Sequence, residues 1–238
     1  MQSRIPLISF MSVAMAALLP HATAQARPVL DERRLEQLSK YDVLMFSDPY
    51  AGGFDKGKAI GVFDATPEEV FRVVTDLGKY KDYMPLIYSS DVMNRGRSEA
   101  LVRIGAEIPW PAGKSWVDAH YQWERKPGEI FAVDFDMIQG TMKHFLGRLY
   151  IEPWSSGKAS VTYELVAVPS VYAPKSVVNR GIKRLVGHFV HALRQRVNEL
   201  HRLGYLHPEP IRASVVEKAD RSPLIGAPPS PGALKAGR

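Results

Sequence analysis

The sequence predicts an α+β fold in which an antiparallel β-sheet curls around one long C-terminal α-helix. Between Leu86 and Val168, six segments alternate apolar and polar residues and are parted by turn-forming clusters, the pattern of half-buried antiparallel strands. From about Pro174 to Leu203 apolar side chains recur every three or four positions, which makes one continuous helical stripe. A strand-like segment ending at Asp64 runs directly into a fully capped helix start. A stripe of that length has to be buried, and the sheet offers one apolar face, so the two pack as layers of one domain.

Taken in order, the chain opens with Arg4, an apolar run from Ile5 to Leu19, and a break at Pro20 and His21. The small-x-small pairs Ala22-Thr23-Ala24 and Ala24-Gln25-Ala26 follow. This is the pattern of a cleavable secretory signal over residues 1–26, and it predicts a periplasmic or secreted mature protein. The run contains Pro6, Ser9 and Ser12 and falls short of the roughly 20 residues a membrane span requires. There is no cysteine, hence no lipidated cysteine, no disulfide framework and no thiolate metal site. Stability must come from a hydrophobic core. A net charge of +6 is compatible with transient contact with a membrane surface, and the export signal argues against nucleic acid as a partner. A monomer is expected.

Residues 27–56 read as an extension: a short amphipathic helix from Asp31 to about Tyr41, a strand start at Val43 to Phe46, and a loop from Asp48 to Phe54. The main domain, 57–206, begins with a strand from Lys58 to Asp64. Thr66 is then the N-cap, Pro67 fits the first helical position and Glu69 completes a capping box. Val70, Val73, Val74 and Leu77 share one face of the helix. Gly78 stops it, and Lys79 to Met84 adds another turn before Pro85. Strands are expected over about 86–94, 99–107, 115–124, 129–137, 141–151 and 159–168. In the final helix the stripe is Val178, Ile182, Leu185, Val186, Phe189, Leu193, Val197 and Leu200, and Gly204 ends it. Residues 207–238 carry six prolines and little to bury, the composition of a disordered tail.

Asp64-Ala65-Thr66-Pro67-Glu68-Glu69-Val70-Phe71, then Thr75-Asp76-Leu77 and Tyr80 to Pro85, resembles the opening motif of the polyketide cyclase/dehydrase and coenzyme Q-binding branch of the START-related helix-grip (SRPBCC) superfamily. The likeness extends from about Gly61 to Leu203. It implies a curved sheet of six or seven strands gripping the final helix, two short helices after the first core strand, and an elongated apolar cavity between sheet and helix. Members of that superfamily mostly bind lipids, sterols, quinones or polyketides. The export signal and the segment from Asp31 to Phe54 set this chain apart from the branch's ribosome-associated and mitochondrial members.

Alternation nominates the side chains that face the helix, and with them the lining of such a cavity. Val117 and Ala119 share a face with Tyr121 and Trp123. Phe131, Val133, Phe135 and Met137 share one on the next strand, and Phe145, Leu149 and Ile151 on the one after. From the helix, Ile182, Leu185, Phe189 and Leu193 look inward. Trp110, held between Pro109 and Pro111 at a strand connection, is placed to guard a cavity mouth or touch a membrane interface. A set so rich in aromatic and aliphatic groups fits a greasy ligand.

Catalytic candidates are fewer. Asp118 and His120 lie two apart on one strand and share a face with Gln122 and Glu124, which reads as a wet polar face rather than an acid–base pair. Asp134 and Asp136 lie opposite a strand bearing Lys143 and His144, an arrangement explained by cross-strand charge pairing. His188 and His191 sit among Lys183, Arg184, Arg194 and Arg196 on a basic helix face, and no metal site is expected there. The sequence holds no nucleophile elbow and no phosphate-binding glycine loop after a strand. The expectation is therefore non-catalytic binding or transport of a lipid, sterol, hopanoid or quinone, with no cofactor. The alternative is a cyclase- or aromatase-like enzyme moving protons with Asp118, His120 or a cavity tyrosine.

Overall fold

A computed structural model describes residues 43–108, 113–155 and 157–206. The expected signal segment, the helix over 31–41, Trp110 with its flanking prolines and the proline-rich tail lie outside these residues. The described elements are β1 (Val43–Pro49), β2 (Asp55–Phe63), α1 (Pro67–Thr75), α2 (Tyr80–Tyr83), β3 (Ile87–Arg95), β4 (Glu99–Ile108), β5 (Gly113–Lys126), β6 (Ile130–Gly140), β7 (Met142–Ser155), β8 (Lys158–Pro169) and α3 (Lys175–Arg202). The eight strands form one antiparallel sheet in the order β1-β2-β8-β7-β6-β5-β4-β3.

Eight strands exceed the expected six or seven. The additional strand is β1, which pairs with β2 from Val43↔Gly61 to Pro49↔Asp55. Its chain continues through a turn of 3-10 helix, Ala51–Gly53, where a plain loop was expected. β1 is held from within because α3 lies across it: the Met45 side chain occupies the place a Cβ on Gly187 would need.

The capped helix start is as the sequence predicts. The Glu69 amide donates to Thr66 Oγ1 at 3.4 Å, and the Thr66 amide donates to Glu69 Oε2 at 2.8 Å. Glu69 also meets His201 of α3 at 3.1 Å, tying the first helix to the end of the last.

α3 buries Ile182, Val186, Val190, Leu193 and Val197 against the sheet, chiefly over β1, β2 and β8. Two glycines of β2 allow that approach. A Cβ on Gly57 would lie 2.6 Å from Ile182 Cγ2, and one on Gly61 2.6 Å from Val190 Cγ1, so the helix rests on bare backbone along this strand. The sheet therefore closes tightly on the helix at the β2 side, and space remains toward β4 and β5. Among the described residues no helix is long and apolar enough to cross a membrane.

The outer face carries charge in register. Asp134 of β6 faces Arg148 of β7, Arg148 faces Glu164 of β8, and Glu164 faces Lys58 of β2. Asp134 and Arg148 pair directly, and Glu164 takes both Lys56 and Lys58 at 3.0 Å. Burial of Glu164 favours its neutral form, but the two lysines outweigh it and hold the carboxyl below its ordinary range. This corrects the expected partners: Asp134 meets Arg148 rather than Lys143 or His144, and Leu146 stands opposite Asp136.

Candidate functional site

Between the sheet and α3 lies a cavity of about 100 Å³. Its walls come from five directions: Tyr80 and Met84 around α2, Leu86 and Ile87 at the start of β3, alternate residues of β4 with Ser115 to Val117 and Tyr121 of β5, the facing parts of β7 and β8, and Leu185 and Phe189 of α3. The strand registers give it an axis. Ile104↔Val117, Ala106↔Ser115 and Ile108↔Gly113 run outward along β4 and β5, while Leu149↔Tyr163, Gly147↔Leu165 and Phe145↔Ala167 do so along β7 and β8. Leu86 and Trp116, 40% and 36% exposed, mark the open end. Tyr80, Tyr121, Tyr163 and Leu165 are buried and mark the closed one. Leu86 takes φ 68°, a left-handed backbone that is unfavourable for a leucine, and its carbonyl accepts the Glu107 amide at 2.8 Å.

Aromatic rings organise the closed end. Tyr80 meets Phe189 edge-on at 6.1 Å, Phe189 stacks on Tyr163 at 4.0 Å, and Phe135 lies 6.2 Å from Tyr163 and 5.2 Å from Tyr121. Phe135 reaches Tyr163 across an intervening strand because β7 has Gly147 opposite it, and a Cβ there would collide with the Phe135 ring. The Tyr80 hydroxyl donates to the Val74 carbonyl at 2.7 Å. Burial pushes the phenols of Tyr80, Tyr121 and Tyr163 well above their ordinary range, so each is neutral at physiological pH.

Of the side chains nominated from sequence, Val117, Tyr121, Phe145, Leu185 and Phe189 come together around this cavity. Trp110 lies outside the described residues, and the others are placed elsewhere by packing. Phe131 stacks on Phe71 of α1 at 4.4 Å, and Val133, Leu149, Ile151, Ala119 and Leu193 are buried in the core. Ile182 lies against Gly57, and Phe135 stands behind the tyrosines. Trp123 and Met137 are half-buried at the core's edge, with the Arg95 guanidinium 5.5 Å over the Trp123 ring. Lining residues not nominated include Ile104, Ala106 and Ile108, which alternate on β4, and Tyr163, Leu165 and Ala167, which alternate on β8. Period-two spacing marks both sets as face-sharing. Trp116 has no such signal, being out of phase with Val117.

The polar candidates lie outside the cavity lining. Asp118 is 2% exposed, which corrects the expectation of a wet position. Arg103 stands opposite it on β4 and donates through Nε and Nη2, each at 2.7 Å, while Gln139 donates at 2.7 Å from β6. A register shift in the β5–β6 pairing sets Gln139 opposite Asp118 and Met137 opposite Ala119. The Arg103 bonds, with Gln139, hold the Asp118 carboxyl below its ordinary range, so it stays ionised and committed. His120 pairs instead with Glu99 at 3.0 Å. His188 and His191 are exposed on α3.

Residues 63–194 match the profile of the polyketide cyclase / dehydrase and lipid transport family, more than half of the chain. The chain belongs to this family. Among curated proteins there is no sequence match. Among solved structures, the STAR-related lipid transfer protein fragment from Xanthomonas axonopodis is similar at a TM-score of 0.60 and 16% identity, covering 66% of this chain and 94% of that one. Human StAR-related lipid transfer protein 5 is similar at 0.60 and 14%, covering 67% and 84%. The Zhui aromatase/cyclase from a Streptomyces species is similar at 0.51 and 11%, covering 63% and 96%. At these identities the likeness is one of fold, and this member of the polyketide cyclase and lipid transport family has the START helix-grip architecture.

Proposed function

We propose that the protein holds and carries a hydrophobic molecule, such as a lipid, sterol, hopanoid or quinone, outside the cytoplasm and without chemistry upon it. The observation that carries this reading is the cavity itself. Its walls are overwhelmingly aliphatic and aromatic, no charged side chain among the described residues lines it, and Asp118 and His120, nominated for catalysis, are bound to partners beyond it. Lipid transport is one of the roles of the family as a whole. At about 100 Å³ the cavity is smaller than the roughly 300–1,000 Å³ of typical ligand sites, so a ligand enters with outward movement of its walls. The open end between Leu86 and Trp116 is the natural place for that movement. Trp116, with the Arg103 guanidinium 4.8 Å over its ring, also gives this end the amphipathic and cationic character that favours brief contact with a membrane surface.

The export pattern of residues 1–26 supports action in the periplasm or outside the cell. The test is mass spectrometry of solvent extracts from protein purified after export, with sequencing of its amino terminus. A stoichiometric co-purifying lipid and a start near residue 25 or 27 are expected. Absence of bound lipid together with no uptake of lipid or sterol probes sinks the binding reading, and an intact leader in a cytoplasmic fraction sinks the location. The enzyme reading would rest on the cavity tyrosines alone, because Asp118 and His120 do not line the cavity.

A further inference from the structure

The closed end of the cavity contains two phenols that the fold leaves unemployed. Tyr121 and Tyr163 are 3% and 5% exposed and both line the cavity. Among the described residues neither hydroxyl makes a hydrogen bond to another side chain or to the backbone, and neither is sealed off as a fully buried atom. Buried hydroxyls ordinarily find partners within the fold, and one that reaches a cavity takes its partner from what fills the cavity. Tyr80, a third phenol in the same aromatic cluster, follows that rule by donating to Val74. The Tyr121 and Tyr163 rings are also fixed in place: Phe135 stacks against both, and Phe189 stacks on Tyr163 from the helix side. Two hydroxyls of this kind, rigidly presented at the blind end of an apolar channel, are equipped to receive a polar atom.

We propose that Tyr121 and Tyr163 form a hydrogen-bonding subsite that takes the neutral hydroxyl or carbonyl head of an otherwise apolar ligand, inserted head first. The proposal rests on the reading that the cavity binds a hydrophobic molecule, and it specifies the class. A phenol donates to a carbonyl and both donates to and accepts from an alcohol, so either head is matched. A carboxylate or phosphate is not, because no cation among the described residues lines the cavity to offset its desolvation. Ser115, the buried hydroxyl of the lining that lies toward the open end, faces Ala106 across the strands and is too far along the axis to belong to the same cluster.

The test uses full-length exported protein loaded with the fluorescent hydrophobe N-phenyl-1-naphthylamine. Dodecane, 1-dodecanol, 2-dodecanone and dodecanoate are then compared as competitors. The alcohol and ketone are expected to displace the probe at about tenfold lower concentration than dodecane, with dodecanoate no better than dodecane. The double variant Tyr121→Phe, Tyr163→Phe should lose this preference while its affinity for dodecane is unchanged. Equal displacement by all four competitors, a preference that survives in the double variant, or dodecanoate as the strongest competitor overturns the proposal and leaves hydrophobic binding standing. Failure to bind the probe, together with no extractable lipid, overturns the binding reading and this proposal with it. Should the double variant lack a cooperative melt, the single variants and the wild-type ranking decide the matter.

Discussion

Filling the cavity should make the protein more stable and less able to bind. Ala106 and Ala167 line it from β4 and β8, and neither belongs to the aromatic cluster at its closed end. A residual cavity costs about 24 cal/mol per Å³, so 100 Å³ corresponds to about 2.4 kcal/mol, an upper bound because the open end is solvated. Leucine at either position fills part of the space. A gain of about 1 kcal/mol is expected for Ala106→Leu or Ala167→Leu, or about 2–4 °C in Tm for a chain of this size. Urea titration with an unchanged slope, read beside N-phenyl-1-naphthylamine binding, measures both sides of the trade. Binding should fall as stability rises. If instead each substitution destabilises by the 1–3 kcal/mol typical of overpacking and leaves probe binding intact, the region is close-packed core and the argument from the cavity fails.

Other expectations follow from single contacts. Gly57→Ala drives a Cβ into Ile182 Cγ2 and should cost about 1–3 kcal/mol; adding Ile182→Ala should recover part of the loss, and strict additivity in the double-mutant cycle would show that the helix does not rest on that glycine. Glu69 is held below the ordinary glutamate value of 4.5: burial opposes ionisation, but the Thr66 bonds and His201 together outweigh it. Its contribution to stability is therefore complete above about pH 4.5 and is lost as the pH falls through the lower folded value, and Glu69→Gln should flatten that part of the stability profile in acid denaturation. Asp118→Asn should weaken the Arg103 pairing yet leave probe and lipid binding within about twofold of wild type, because Asp118 lies outside the lining. A tenfold loss of binding would return that carboxylate to the site.

How much of this was legible beforehand differs by element. The capping box at Thr66 and Glu69 is a local device, complete within four residues, and the structure reproduces it atom for atom. The stripe of α3 and the alternation of β4 to β8 are likewise local periodicities, and these strands run one to four residues past their predicted C-terminal ends, with β6 and β7 starting one residue later than predicted. The seven residues of β1 carry weak alternation and by themselves predict only a strand start, and its place in the sheet depends on pairing with β2 and on cover from α3. For the site, alternation marked the correct face of β5, β6 and β7, but a face is not a depth. Phe131 and Tyr121 obey the same rule, yet one is covered by Phe71 and the other opens onto the cavity.

The sequence by itself determined the fold class, the family and the apolar character of whatever the sheet and last helix enclose, because each depends on residue order along one element. Tertiary structure alone decided where the enclosed space lies. Gly57 and Gly61 let α3 settle onto β2, which closes that side and leaves room toward β4 and β5. Gly147 lets Phe135 lie across β7, which sets Tyr121 and Tyr163 at the blind end. Arg103 and Gln139 meet Asp118 from two neighbouring strands and take it out of contention as a catalytic group. Each of these outcomes depends on distances between strands far apart in the chain, and spacing along a single strand does not encode them.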